Sequence, residues 1–243
     1  MTRSDDGARG AASGTILAAL TLCAALVFLN RGGIAFLFPT IKPELNLSNT
    51  QLGTLMSATA LSWAVSSVFC SVASDAYAIR PRNLIIICTL GFSLVGALAG
   101  AVSNFPQLLA LRAAMGIFEG PVIPLIQATV AGASVPERRG ANLGLIIGGA
   151  GFVGAVVSPA LMTGLAAAFG WRMTFLVVAI PGPLVALAVW FVMRGRSMAD
   201  ASVDRLDLRA ALPMAAHQNV LLGAVGAITL IGLAVAAGAF TRI

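Results

Sequence analysis

Charged side chains are scarce in this sequence, with nine acidic residues and fifteen lysines and arginines in 243 positions. A water-facing surface is built largely from such residues, so a chain this poor in them does not clothe a soluble core. Histidine is nearly missing as well. His217 stands by itself in a polar segment, with no second histidine and no H-E-x-x-H pattern to make a metal site. The cysteines Cys23, Cys70 and Cys88 lie in or beside apolar runs without metal-like spacing, and they read as small buried residues rather than disulfide partners. No Ser–His arrangement and no glycine–lysine phosphate loop occurs, so no enzyme, metal or cofactor is expected. The net charge of +6 raises nucleic acid as a partner, but no basic stripe with interleaved aromatics accompanies it. What the chain has in abundance is apolar surface: 58% of its residues are hydrophobic and the mean hydropathy is +0.95. That is the composition of an all-α, polytopic membrane protein with the lipid bilayer as its solvent.

Residues 1–14 form a polar tail, expected to be a disordered cytoplasmic segment. The first apolar run, 15–39, is long enough to span and is interrupted by Asn30 and Arg31 rather than by a cleavage site, so it reads as a transmembrane helix that Pro39 and Pro43 end. Ser48 and Gln51 are spaced as a capping box opening the second span, 50–73. A short loop with Arg80 and Arg82 leads to the third, 84–102, and Ser103 to Pro106 turns the chain into the fourth, 106–131. Ser134 and Glu137 have the spacing of another capping box. The fifth span, 140–168, is dense in glycine, which lets neighbouring backbones touch, and Gly170-Trp171-Arg172 leads into the sixth, 173–193, with kinks expected at Pro181 and Pro183. The domain plan is therefore a six-helix unit over 15–193, an interdomain linker over 194–217, and a seventh span within 218–243.

Arginines set the orientation. With the N-terminus in the cytoplasm, that side holds Arg80, Arg82, Arg138, Arg139, Arg194 and Arg196 as well as the basic residues of the tail and linker, against only Lys42, Arg172 and Arg242 outside. An excess of this kind marks the cytoplasmic face, here of a plasma (inner) membrane protein.

The fourth span carries the most informative stretch. Arg112 and Glu119 lie seven residues apart, two helical turns, and so share one face about 10 Å apart along the axis. Gly116 and Gly120 between them make a small-residue strip for close helix approach, and Pro121 and Pro124 favour a bend. A charge at bilayer depth costs about 2.5–3.5 kcal/mol on insertion scales. The pair therefore reads either as a functional site or as a structural ion pair locking two helices, and in both cases the helix faces a polar interior. On helical rise, Arg31 lies about 24 Å and Glu119 about 18 Å from the inner ends of their spans, close enough in depth to meet. Burial favours the neutral carboxyl and a nearby guanidinium the ionised one, so an anion occupying Arg31 would release Glu119 to take up a proton.

Three stretches, in order and spacing, resemble the major facilitator superfamily, and within it the anion:cation symporter branch: Phe28 to Arg31; Arg112, Gly116, Glu119, Gly120, Pro121 and Pro124; and Pro136 to Gly140 leading to Gly170-Trp171-Arg172. The resemblance implies a secondary transporter for a small organic anion, a sugar acid or similar carboxylate, moved with protons. By the same resemblance Arg31 is the substrate-carboxylate ligand, Glu119 carries the proton, Arg112 guards its path or organises the fourth span, and Trp63 is the cavity aromatic of the second span. Two positions depart from the family pattern. Asn30 stands where the family has an aspartate, which leaves the number of coupled protons open, and Phe28 stands where a tyrosine is usual. Asp75, Arg80 and Arg82 match part of the family's cytoplasmic gate signature, read either as a charge latch or as an ordinary positive-inside loop. Six spans and one more are half of a twelve-helix plan plus one helix, so the chain is expected to need a missing C-terminal half or a homodimer partner. The alternative is a non-transporting remnant or membrane scaffold derived from such a transporter.

Overall fold

The computed structural model describes the backbone of residues 3–76 and 79–194, with side chains for residues 14–70 and 79–194. The expected linker, His217 and the seventh span lie outside the described residues. Within them the chain is helical throughout: α1 (Arg3–Leu45), α2 (Asn49–Ala76), α3 (Pro81–Leu98), α4 (Phe105–Glu119), α5 (Val122–Ala133), α6 (Pro136–Phe152), α7 (Ser158–Ala179) and α8 (Pro181–Met193). A short 3₁₀ turn, Ala99–Ala101, extends α3, and a π-helical turn, Val153–Val157, joins α6 to α7.

Two expectations for the first span are corrected. The helix begins at Arg3 rather than after residue 14, and Pro39 and Pro43 lie inside it instead of ending it. Its stop signal is Asn46, which takes a left-handed conformation (φ 50°), so that the Leu47 N–H reaches back to the Lys42 carbonyl at 3.0 Å. Asparagine tolerates that conformation better than most residues, and the buried Leu47 closes the turn with an apolar contact.

Both ends of the next hairpins follow their cap chemistry. The Ser48 N–H donates to Gln51 Oε1 at 2.8 Å while the Gln51 N–H donates to Ser48 Oγ at 3.2 Å, the reciprocal pair expected of a capping box. At the start of α4, Asn104 Oδ1 accepts from the Gln107 N–H at 3.0 Å and Gln107 Oε1 accepts from the Ser103 N–H at 2.9 Å. The third box does not form. Pro136 takes the first helical position, where its missing N–H costs nothing. This makes Val135 the cap residue, and Ser134 instead accepts from Asn142 Nδ2 at 2.8 Å.

Among the described residues, five stretches are long and apolar enough to cross a membrane, and the fifth, Pro136–Met193, has 58 residues. As one straight helix it would reach about 87 Å, nearly three times a hydrocarbon core. Gly170 breaks it with φ 79° and ψ 162°, a conformation costly for any residue with a Cβ, and divides it into arms over 136–169 and 171–193. Of the glycines in the first arm only Gly149 and Gly154 meet a neighbour, Thr21 and Phe28 of α1. Gly140, Gly144, Gly148 and Gly151 face open space rather than a touching backbone.

Helix α1 is the hub. It packs on α5, α6, α7 and α8, and 61% of its apolar window is buried, against 17% for α2, which rests chiefly on α4. The core runs through Leu20, Cys23, Ile34, Leu37 and Ile41 of α1 to Phe92, Leu108, Ile126, Ile146 and Phe175. All three cysteines are free, and Cys23 Sγ lies 3.2 Å from Thr89 Oγ1.

Candidate functional site

Residues 28–31 of α1 turn about 100° each and so point to different neighbours. Phe28 is half-buried against Gly154, in the π-helical turn. Asn30 is buried; its Nδ2 donates to the Leu26 carbonyl at 2.9 Å, and its Oδ1 faces Gly96 of α3 beside Met115 of α4. Arg31 is exposed, and its guanidinium carbon stands 4.8 Å from the centre of the Trp63 ring on α2. Of the four side chains expected to line a substrate site, the structure thus brings Arg31 and Trp63 together and sends Asn30 and Phe28 into separate helix contacts.

The small-residue strip of α4 does what its spacing promised. A methyl group at Gly116 would collide with Ser62 Oγ and the Thr59 carbonyl, and one at Gly120 with Ser66 Oγ, so α2 lies directly on the α4 backbone. Ser66 Oγ donates across this contact to the Gly116 carbonyl at 3.3 Å. The chain breaks at Gly120–Pro121, where α4 gives way to α5, as the prolines implied.

Arg112 and Glu119 are both fully buried, with exposures of 1% and 0%. They form no direct ion pair. Arg112 Nη1 donates to Met115 Sδ at 3.4 Å and the guanidinium carbon sits 5.5 Å from the Phe175 ring centre, while Nη2 has no hydrogen-bond partner among the described residues. Both carboxylate oxygens of Glu119 are equally unpartnered there. A buried charge without hydrogen bonds is expensive, so a group kept in this state is a candidate for binding or for carrying a proton rather than for holding helices together.

A family model described as Major Facilitator Superfamily matches residues 20–242. The chain belongs to that superfamily. Among curated superfamily relatives, it is 28% identical over 197 residues to a probable L-galactonate transporter of Escherichia coli (strain K12), covering 81% of this chain and 43% of that one. It is also 28% identical over 172 residues to a hexuronate transporter of Bacillus subtilis (strain 168), covering 71% of this chain and 40% of that one. A further relative is the multidrug resistance protein MdtG of Dickeya zeae (strain Ech586), 34% identical over 149 residues, with 61% and 35% covered. The chain spans about two fifths of the length of these relatives. The first two relatives are named as transporters, which sets the family apart from the enzyme classes. Among solved structures, a bacterial homologue of the human lysosomal transporter Spinster, inward-facing and unoccupied, superposes with a TM-score of 0.66 at 24% identity, covering 75% of this chain and 43% of that one, and supports the fold.

Sequence reading passed over a second polar cluster in this superfamily chain. Glu44, at the end of α1, accepts from Trp171 Nε1 at 2.5 Å and from Arg172 Nε at 3.0 Å and Nη2 at 2.8 Å. Arg172 Nη1 donates to the carbonyls of Gly100 and Val102, at 3.0 and 2.8 Å. One arginine therefore ties the ends of α1, α3 and the arm after Gly170. The motif Gly170-Trp171-Arg172 was visible in sequence, but Glu44 gave no local sign of being its partner. Ser158 was missed too; its Oγ donates to the Leu29 carbonyl at 3.0 Å and pins the π-helical turn beside the Arg31 segment. Of the expected gate residues, Arg80 is exposed, Arg82 bonds its own neighbour through Asn83 Oδ1 at 3.1 Å, and the side chain of Asp75 lies outside the described residues.

Proposed function

We propose that the chain carries the anion- and proton-handling half of a secondary transporter for a small organic anion, a sugar acid or similar carboxylate. In this reading Arg31 holds the substrate carboxylate and Glu119 the coupled proton, with Arg112 biasing Glu119 from the opposite side. The observation that carries it is the fully buried Glu119 carboxylate with neither oxygen hydrogen-bonded among the described residues, on the same helix as the buried Arg112, with Arg31 exposed near the middle of its span. The curated relatives named for L-galactonate and hexuronate support the substrate class. Relatives named as efflux pumps or drug-resistance proteins match as well, so the direction of transport belongs to the proposal.

An anion drawn to Arg31 weakens the pull of that cation on Glu119, which favours the protonated carboxyl, and proton uptake follows. By reciprocity, a proton on Glu119 raises anion affinity at Arg31. Affinity for the anion therefore rises as pH falls. The N-terminus and the Arg80, Arg138 and Arg194 ends lie on the cytoplasmic side of the plasma membrane in this proposal. Residues 194–217 act as the linker and 218–243 as the seventh span, preceding a second half or meeting a second copy.

The test is galacturonate binding by the chain in lipid nanodiscs at pH 5.5 and pH 7.5. Wild type is expected to bind more tightly at the lower pH. Arg31→Ala should lose binding, and Arg31→Lys should not fully restore it, because lysine lacks the planar fork. Glu119→Gln should bind with no pH dependence, since the amide keeps the shape but carries no titrating proton. Normal binding by Arg31→Ala, or an unchanged pH dependence in Glu119→Gln, would overturn the assignment.

A further inference from the structure

All three tryptophans of the chain carry an arginine over the ring. Arg172 stands 4.2 Å from the Trp171 ring centre and Arg194 stands 4.9 Å from that of Trp190. Both are local pairs at helix ends, where an aromatic ring and a nearby cation are ordinary furniture. The third pair differs. Arg31 over Trp63, at 4.8 Å, joins two different helices near the middle of a span. Arg31 has no hydrogen bond or ion pair among the described residues, so the ring face is what defines its pose.

Trp63 is itself held from behind. Its stretch of α2 is seated on the Gly116–Gly120 strip of α4, whose close approach leaves no room for a side chain at either glycine. The indole N–H is buried and unpartnered among the described residues, so the ring is placed by packing and not by a hydrogen bond. The same strip belongs to the helix that ends on Glu119. One backbone contact therefore sets the depth of both the ring under Arg31 and the carboxylate.

We infer that Trp63 is a positioning residue: its ring holds the Arg31 guanidinium flat in one pose and registers that pose to Glu119 through the α2–α4 contact. The inference rests on the reading of Arg31 as the anion ligand. A guanidinium stacked on a ring has its faces occupied on one side and presents its in-plane N–H groups, the geometry that matches a planar carboxylate two bonds at a time. Trp63 then acts on affinity and on the preference for planar carboxylates without touching the substrate.

The experiment follows arginine modification by phenylglyoxal in the full 243-residue chain in nanodiscs, residue by residue, by mass spectrometry. Trp63→Leu keeps bulk but removes the ring; Trp63→Phe keeps a ring; and fluorinated tryptophans at position 63 weaken the ring's attraction stepwise at constant shape. Trp63→Leu should speed modification of Arg31 about three- to tenfold, Trp63→Phe much less, and the fluorinated series should rise in order with fluorine count. Arg80, exposed and with no ring contact among the described residues, is the internal reference and should not change. A packing role alone would not follow the fluorine count. Equal Arg31 rates in wild type and Trp63→Leu, or a flat fluorinated series, would overturn the inference. In parallel, galacturonate affinity should fall in Trp63→Leu and persist in Trp63→Phe. A wild-type chain that binds no galacturonate while the phenylglyoxal pattern holds would leave the positioning role standing and overturn the anion-ligand reading instead.

Discussion

Two polar clusters in this protein use the same kinds of residue to opposite ends. At one end of the bundle, Glu44, Trp171 and Arg172 exchange five hydrogen bonds with each other and with the carbonyls of Gly100 and Val102, and the ion pair is partly exposed. Near mid-span, Arg112, Glu119 and Trp63 are packed tightly and yet leave polar atoms without partners. Wherever every donor has its acceptor, the energy of the contacts goes into holding helices. Where burial is complete and the bonds are missing, the energy is stored as desolvation, and a substrate or a proton can release it. The contrast sets a fastening apart from the proposed site without reference to any relative.

That contrast can be broken or sharpened by substitution. The largest effect should come from Gly116→Ala, which drives a methyl group into the α2 backbone and should cost about 3 kcal/mol or prevent folding. A well-folded Gly116→Ala with unchanged unfolding in mixed detergent would show that the strip does not set the mid-span geometry. Next, Arg172→Ala should lower stability by about 2 kcal/mol, because two carbonyls and a carboxylate lose their donor together. An unchanged unfolding midpoint would strip the end cluster of its fastening role. The mid-span cluster should respond with the opposite sign. Arg112→Met and Glu119→Gln remove buried polar groups that carry unpartnered atoms, so each should raise stability by about 1–2 kcal/mol while impairing anion handling. A clear loss of stability in both would mean that these charges are structural. The smallest effect belongs to the cap at the fastened end: Ser48→Ala should cost about 0.5–1 kcal/mol, and Ser134→Ala, whose box never forms, measurably less. Equal costs would show that the two caps are not distinguished by their bonds.

Much of the working site could be read from the chain before any fold was known. The shared face of Arg112 and Glu119, the close-packing strip at Gly116 and Gly120, and the break at Pro121 all lie within one helix. Spacing along a helix is a local property that 3.6 residues per turn makes legible. The divergence of Phe28, Asn30 and Arg31 follows from the same rule, but what each meets does not. Arg31 over Trp63 depends on where α2 settles, and α2 settles where Ser62 and Ser66 find the glycines of α4.

The sequence by itself determined that this protein lives in a bilayer, roughly where its helices run, and that a helix with buried opposite charges faces inward, because hydrophobic runs and periodicity are written in consecutive residues. Only the tertiary structure decided which of those charges would be satisfied. Glu44 meets Arg172 because Gly170 turns the last arm back to the end of α1, and Arg112 and Glu119 keep unpartnered atoms because what packs against the Arg112 guanidinium is Met115 of its own helix and Phe175 of α7 rather than a counter-charge. Hydrogen bonds reach about 3 Å, so a side chain's partner is fixed by how distant helices pack and not by its neighbours in the chain.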